Sequence, residues 1–132
     1  MNDIDSFLGS AKLSDMRNGD FPMMQGKLKQ VTGADIAFVI GEDSFKEVTL
    51  NAAEFLGSTN MSLMEYIMNA GDEVKKSFGE KVKKVLYSHD AHQASPKVTL
   101  EADGTLIVLG NYTNLNWAGG PSLSEQVGAI LK

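Results

Sequence analysis

Between Ser62 and Leu86, apolar residues fall at Leu63, Ile67, Ala70, Val74, Phe78, Val82 and Val85, in steps of three or four. That spacing draws a single apolar stripe along a helix. Ser62 and Glu65 stand in the S-x-x-E relation that closes a helix N-terminus, so the helix is expected to start there. Gly71 and Gly79 each cost about 1 kcal/mol of helix propensity relative to alanine. Gly71-Asp72 offers a point where a first helix ends at Ala70 and a second, capped afresh, runs toward Leu86. In either arrangement the stripe needs a sheet or a partner to bury it.

Upstream, the pattern is that of short strands. Met24 to Val31, if extended, puts Met24, Gly26, Leu28 and Gln30 on one face and Gln25, Lys27, Lys29 and Val31 on the other, so neither face is cleanly apolar. Thr32-Gly33-Ala34-Asp35 turns the chain, and Ile36 to Ile40 is a continuous apolar run, expected of a strand covered on both faces. After Gly41-Glu42-Asp43, a strand is expected over Phe45 to Leu50, its alternation slipped by one position as a bulge would make it. Asn51 to Phe55 predicts a helical turn capped by Asn51, which Gly57-Ser58-Thr59-Asn60 breaks.

Downstream, Val85 to Tyr87 merge into a strand, and Ser88 to Pro96 form a polar connection holding both histidines. Lys97 to Gly110 carries the hairpin signal: Val98, Leu100 and Ala102 alternate, Asp103-Gly104 supplies a type I′ turn, and Leu106 to Leu109 return. A two-residue turn sets Ile107 opposite Leu100 and Leu109 opposite Val98. A loop rich in asparagine and glycine, Gly110 to Pro121, leads to a last helix that either Ser122 or Ser124 can start, Ser122 standing with Glu125 in the S-x-x-E capping relation, and that has Leu123, Val127, Ile130 and Leu131 as its apolar face.

The first 22 residues are less patterned. Asp5 can cap a turn containing Phe7, Leu8, Ala11 and Leu13, Asn18-Gly19-Asp20 reads as a turn, and Pro22 discourages a helix across it. The organisation expected is a weakly structured N-terminal arm or short helix over 1–22 and a compact α+β domain over 23–132. Its sheet, mixed or antiparallel, packs on one or two central helices. A length of 132 residues suits one core.

Charge and composition narrow the functions more than the fold. A formal charge of −5 disfavours nonspecific binding to nucleic acid. Lys75, Lys76, Lys81, Lys83 and Lys84 form the one dense basic group, but Glu73 and Glu80 interrupt it, as on a solvated helix face. With no cysteine there is no disulfide, thiolate nucleophile or zinc–thiolate site. The chain shows no Sec-type signal pattern and no apolar run of bilayer length, so a soluble protein, cytoplasmic or within a larger soluble assembly and with no membrane contact, is expected.

Candidate chemistry is sparse. His89, Asp90 and His92 are ligand types suited to a divalent metal, but HDxH lacks the helical HExxH geometry that makes two imidazoles converge. Ser88 and Ser95 lie near without a nucleophile elbow, and no glycine motif cradles a nucleotide. Tyr112, Asn116 and Trp117 form the preferred recognition locus, because Gly119 and Gly120 permit close backbone approach and tryptophan offers a large contact surface. Met16, Met23, Met24, Met61, Met64 and Met68 suit either irregular core gaps or a contact surface that repacks around a partner.

These residues favour a non-enzymatic protein-binding or self-assembly module, cofactor-free, acting through the Tyr112–Trp117 loop, the N-terminal arm or an exposed sheet edge. A component of a homomeric or viral assembly fits that description. The alternative is a small metal-dependent hydrolase with a site around His89 and His92.

Overall fold

The computed structural model describes residues 7–46 and 48–131. The chain runs through α1 (Ala11–Asp15), a π-helical turn (Met16–Asp20), α2 (Phe21–Thr32), β1 (Ala37–Ile40) and a 3-10 turn (Glu42–Phe45). There follow α3 (Ala52–Asn69), α4 (Asp72–Lys81), β2 (Lys84–His89), β3 (Lys97–Leu100), β4 (Thr105–Gly110) and α5 (Leu123–Leu131). The strands form one mixed sheet in the order β1-β2-β4-β3, with β1, β2 and β4 parallel and β3 antiparallel to β4. This is the expected α+β architecture, a mixed sheet packed against several helices.

Register builds the inner face of the sheet from two rows. Phe38, Val85, Leu106 and Leu100 align across the four strands, and Ile40, Tyr87, Val108 and Val98 align beside them. Both rows belong to one core that also takes in Leu28 of α2, Leu56, Leu63 and Ile67 of α3, Phe78 of α4 and Val127 of α5. Phe7, Leu13 and Met16 join the same core, with the Phe7 ring 4.9 Å from that of Phe45. On the opposite face Val39, Leu86, Ile107 and Leu109 are only half-buried and stand outside it. The run from Ile36 to Ile40 is therefore covered on one face, not two: Ile36 and Ile40 are buried while Ala37 is exposed.

The central helical region departs from the expected boundaries at its start and matches them at its break. The helix begins at Ala52, so Ser62 and Glu65 lie in mid-helix and form no cap. Gly57 to Asn60, expected to break the chain, continue α3, because Ala52, Ala53, Leu56, Thr59, Asn60, Leu63, Met64 and Ile67 keep one side of it buried. Burial of that side outweighs weak local propensity. Thr59 returns its hydroxyl to the Phe55 carbonyl at 2.8 Å, so its polar group is satisfied within the helix. Asn51 does sit at the N-cap position, but its side chain donates to the Thr113 carbonyl at 3.3 Å and caps nothing. Gly71 does divide the region, with α3 ending at Asn69 and α4 starting at Asp72.

Met24 to Val31 is helical, not extended. Phe21, Met24 and Leu28 are buried at steps of three and four, Pro22 occupies the first turn, and Gly33 closes the helix at φ 77° with its N–H on the Lys29 carbonyl. The failure of either strand face to be apolar was the trace of this helical period. Upstream, Asn18-Gly19-Asp20 is the wide π-helical turn that carries helical geometry past Pro22, which has no N–H to donate. Of Phe45 to Leu50, the described residues form no strand either, Thr49 making only an isolated bridge. Phe45 ends the 3-10 turn, and Val48 accepts the Phe7 N–H at 2.9 Å.

The hairpin exists in a different register. Val98 faces Val108 and Leu100 faces Leu106, one position from the expected pairing. Asp103-Gly104 is not a type I′ turn, which needs two residues at positive φ, because Gly104 at φ 90° is the one residue there in that region. The Gly104 N–H closes on the Glu101 carbonyl at 3.0 Å and the Glu101 N–H on the Thr105 carbonyl at 2.9 Å, so the loop is longer and shifts the register. At the far end, Ser122 and Glu125 form the expected capping pair, the serine hydroxyl taking the Glu125 N–H at 3.2 Å.

Candidate functional site

The loop after β4 does not gather its three candidate residues. Tyr112 is fully buried, its hydroxyl donating to the Val108 carbonyl at 2.9 Å and its ring 5.6 Å from Phe45. Burial raises its phenol pKa well above the usual range, so it is a neutral anchor that ties the loop to the sheet. Asn116 is exposed and folds its side-chain oxygen back onto the Ala118 N–H at 2.9 Å, an Asx turn. Trp117 is half-buried against the core and lines a cleft of about 550 Å³ with Ser62, Glu65, Tyr66, Asn69 and Leu123.

His89 and His92 play separate parts. His89 ends β2 on the inner face, its ring 5.5 Å from Phe45 and its Nδ1 accepting the Tyr112 N–H at 3.1 Å. Burial lowers its pKa, and the neighbouring Asp90 carboxylate offsets part of that effect. Asp90 turns its Oδ1 to the backbone N–H of His92 at 2.9 Å, while the His92 side chain is exposed. Among the described residues no three histidine, aspartate or glutamate side chains converge as a metal would require.

The methionines divide. Met16, Met24 and Met64 are buried, whereas Met23, Met61 and Met68 are 49%, 59% and 36% exposed. Those three, with the flanks of Met24 and Met64, line one groove of about 260 Å³ between α2 and α3, rimmed by Lys27 and Glu65. Its sequence signal is the helical step of 61, 64 and 68, which shows that these residues share a side of one helix but not which neighbour that side meets. Glu65 and Asn69 border both this groove and the Trp117 cleft, so the two depressions flank one exposed ridge of α3.

No protein-family model, curated protein or solved structure matches the chain.

Proposed function

We propose that the protein is a non-catalytic protein-binding module, engaging a partner or further copies of itself across the exposed ridge of α3. The observation that carries this reading is the methionine groove: three of the large apolar side chains exposed to solvent lie together in it. Unbranched thioether side chains adapt to differently shaped apolar surfaces at little conformational cost, which suits a contact surface. Trp117, across the same ridge, supplies a rigid aromatic edge of the type that anchors protein contacts.

A photoreactive side chain in place of Met61, introduced in the cells that make the protein, tests this. The expected result is a covalent adduct of discrete mass, absent when the label replaces Lys76 on α4 and lost when Met23→Lys and Met68→Lys accompany the Met61 label. An adduct of twice the chain mass identifies self-assembly, and another mass a second protein. Equal, diffuse labelling from both positions, with a monomer throughout a native mass-spectrometric concentration series, overturns the reading.

A further inference from the structure

Five of the chain's seven methionines, Met23, Met24, Met61, Met64 and Met68, line the groove of about 260 Å³ between α2 and α3. The rest of the lining is Lys27, Glu65 and Asn69, so every apolar side chain in it is a thioether. Leucine, of similar volume, would make an equally apolar groove. What methionine adds is sulfur, a neutral and polarisable donor. Met61, Met64 and Met68 follow at steps of three and four on one side of α3, which puts adjacent members within reach of each other, and Met23 faces them from α2. Met64, 6% exposed, forms the floor. The Met24 sulfur is already engaged by the Asn60 amide at 2.8 Å, which leaves the other four.

We infer that the groove binds a Cu(I) ion through the thioethers of Met23, Met61, Met64 and Met68. Thioether ligands select soft monovalent copper, whereas harder divalent ions take carboxylates, carbonyls or imidazoles. The groove holds no histidine and a single carboxylate, Glu65, so it suits the soft ion and not the hard ones. Glu65 has no ion-pair partner among the described residues, and its charge balances a cation that neutral sulfurs leave uncompensated. Lys27, on the α2 rim, is exposed and keeps its ammonium in water. The unbranched side chains turn about their own bonds, so sulfurs from two helices can meet at a shared ion.

This goes beyond the protein-binding reading, and leucine separates the two. Met23→Leu with Met68→Leu keeps the groove apolar and similar in volume while removing two sulfurs. Ag(I), which shares the soft chemistry of Cu(I) without its redox activity, is titrated into the full-length protein in chloride-free buffer. Native mass spectrometry and the methionine methyl resonances in NMR read the result. One Ag(I) per chain should be retained, with shifts at Met23, Met61, Met64 and Met68 and none at Met16. Cu(I), supplied with a reductant in the absence of oxygen, should displace it, whereas Zn(II) should not. The double leucine variant should bind Ag(I) at least about tenfold more weakly, the loss that even outer-shell partners of a metal produce. The same two substitutions should leave the photo-adduct at position 61 intact, so either reading can fail alone. Four outcomes each overturn the inference: no retained Ag(I), unchanged affinity in the leucine variant, shifts centred on His89 and His92, or displacement of Ag(I) by Zn(II).

Discussion

The Tyr87 hydroxyl donates a hydrogen bond to the side-chain oxygen of Asn60, joining the middle of the sheet to the middle of α3 inside the core. The Asn60 amide nitrogen in turn lies 2.8 Å from the Met24 sulfur on α2, so one buried polar residue touches both neighbouring elements. A buried asparagine with both ends occupied orients α3 as well as stabilising it.

Tyr87→Phe should leave the Asn60 oxygen buried without its donor and lower stability by about 1–3 kcal/mol. Pairing it with Asn60→Leu should recover part of that loss, since an apolar pair leaves nothing unsatisfied. Urea denaturation of Tyr87→Phe, Asn60→Leu and the double variant decides it; a double variant no better than the sum of the singles would contradict the account.

Burial holds the Tyr87 and Tyr112 phenols well above their ordinary pKa of about 10. Above that pH the unfolded chain releases phenolic protons that the folded chain retains, so stability present below pH about 10 is lost as pH rises past it. Denaturation midpoints measured across alkaline pH should fall, and Tyr87→Phe should flatten the slope.

His89 predicts the opposite trend in acid. Its folded pKa lies below the ordinary value of about 6.5, so the unfolded chain takes up the proton first and stability declines as pH falls below that value. His89→Asn, which removes the titration while presenting an acceptor toward the Tyr112 N–H, should reduce this decline. At neutral pH, His89→Ala should cost about 1–2 kcal/mol through that lost acceptor, and His92→Ala should stay within about 0.5 kcal/mol. Equal losses accompanied by release of a stoichiometric metal would instead restore the metal site.

Two helical glycines should respond in opposite directions. A Cβ at Gly26 meets nothing within 4 Å, so Gly26→Ala should stabilise the exposed flank of α2 by about 0.5–1 kcal/mol. At Gly79 a Cβ would lie 2.8 Å from Thr32 Cβ and 3.0 Å from the Thr32 carbonyl oxygen, where α4 meets the end of α2. Gly79→Ala should therefore destabilise by about 1–3 kcal/mol despite its better helix propensity. Thermal melts of the two variants give the signs directly.

The two faces of β4 provide a further contrast. Leu106→Ala opens a cavity in the core and should cost about 2–5 kcal/mol, whereas Ile107→Thr on the half-exposed face should cost about 1 kcal/mol or less. Comparable losses at both positions, measured in urea, would show that the outer face is covered in solution.

The sequence by itself determined what depends on local chemistry. The Ser122–Glu125 cap, the break at Gly71, the strands at Ile36–Ile40 and Val85–Tyr87 and the existence of the β3–β4 hairpin follow from near-neighbour spacing and backbone permissiveness. What distant contacts settle was not legible. Met24 to Val31 has mixed polarity at either period, and Phe21 packing on Phe38 and Tyr87 helps select the helix. Weak helix formers from Gly57 to Asn60 stay helical because Asn60 meets Tyr87 and Met24 across the core. The hairpin register turned on whether one or two residues take positive φ, a choice that Asp103-Gly104 leaves open. For the candidate site, a tyrosine and a tryptophan five residues apart are equally apolar in sequence. Only the fold drives Tyr112 inward beneath Phe45 and leaves Trp117 at a cleft, because burial belongs to the assembled surface and not to the residue.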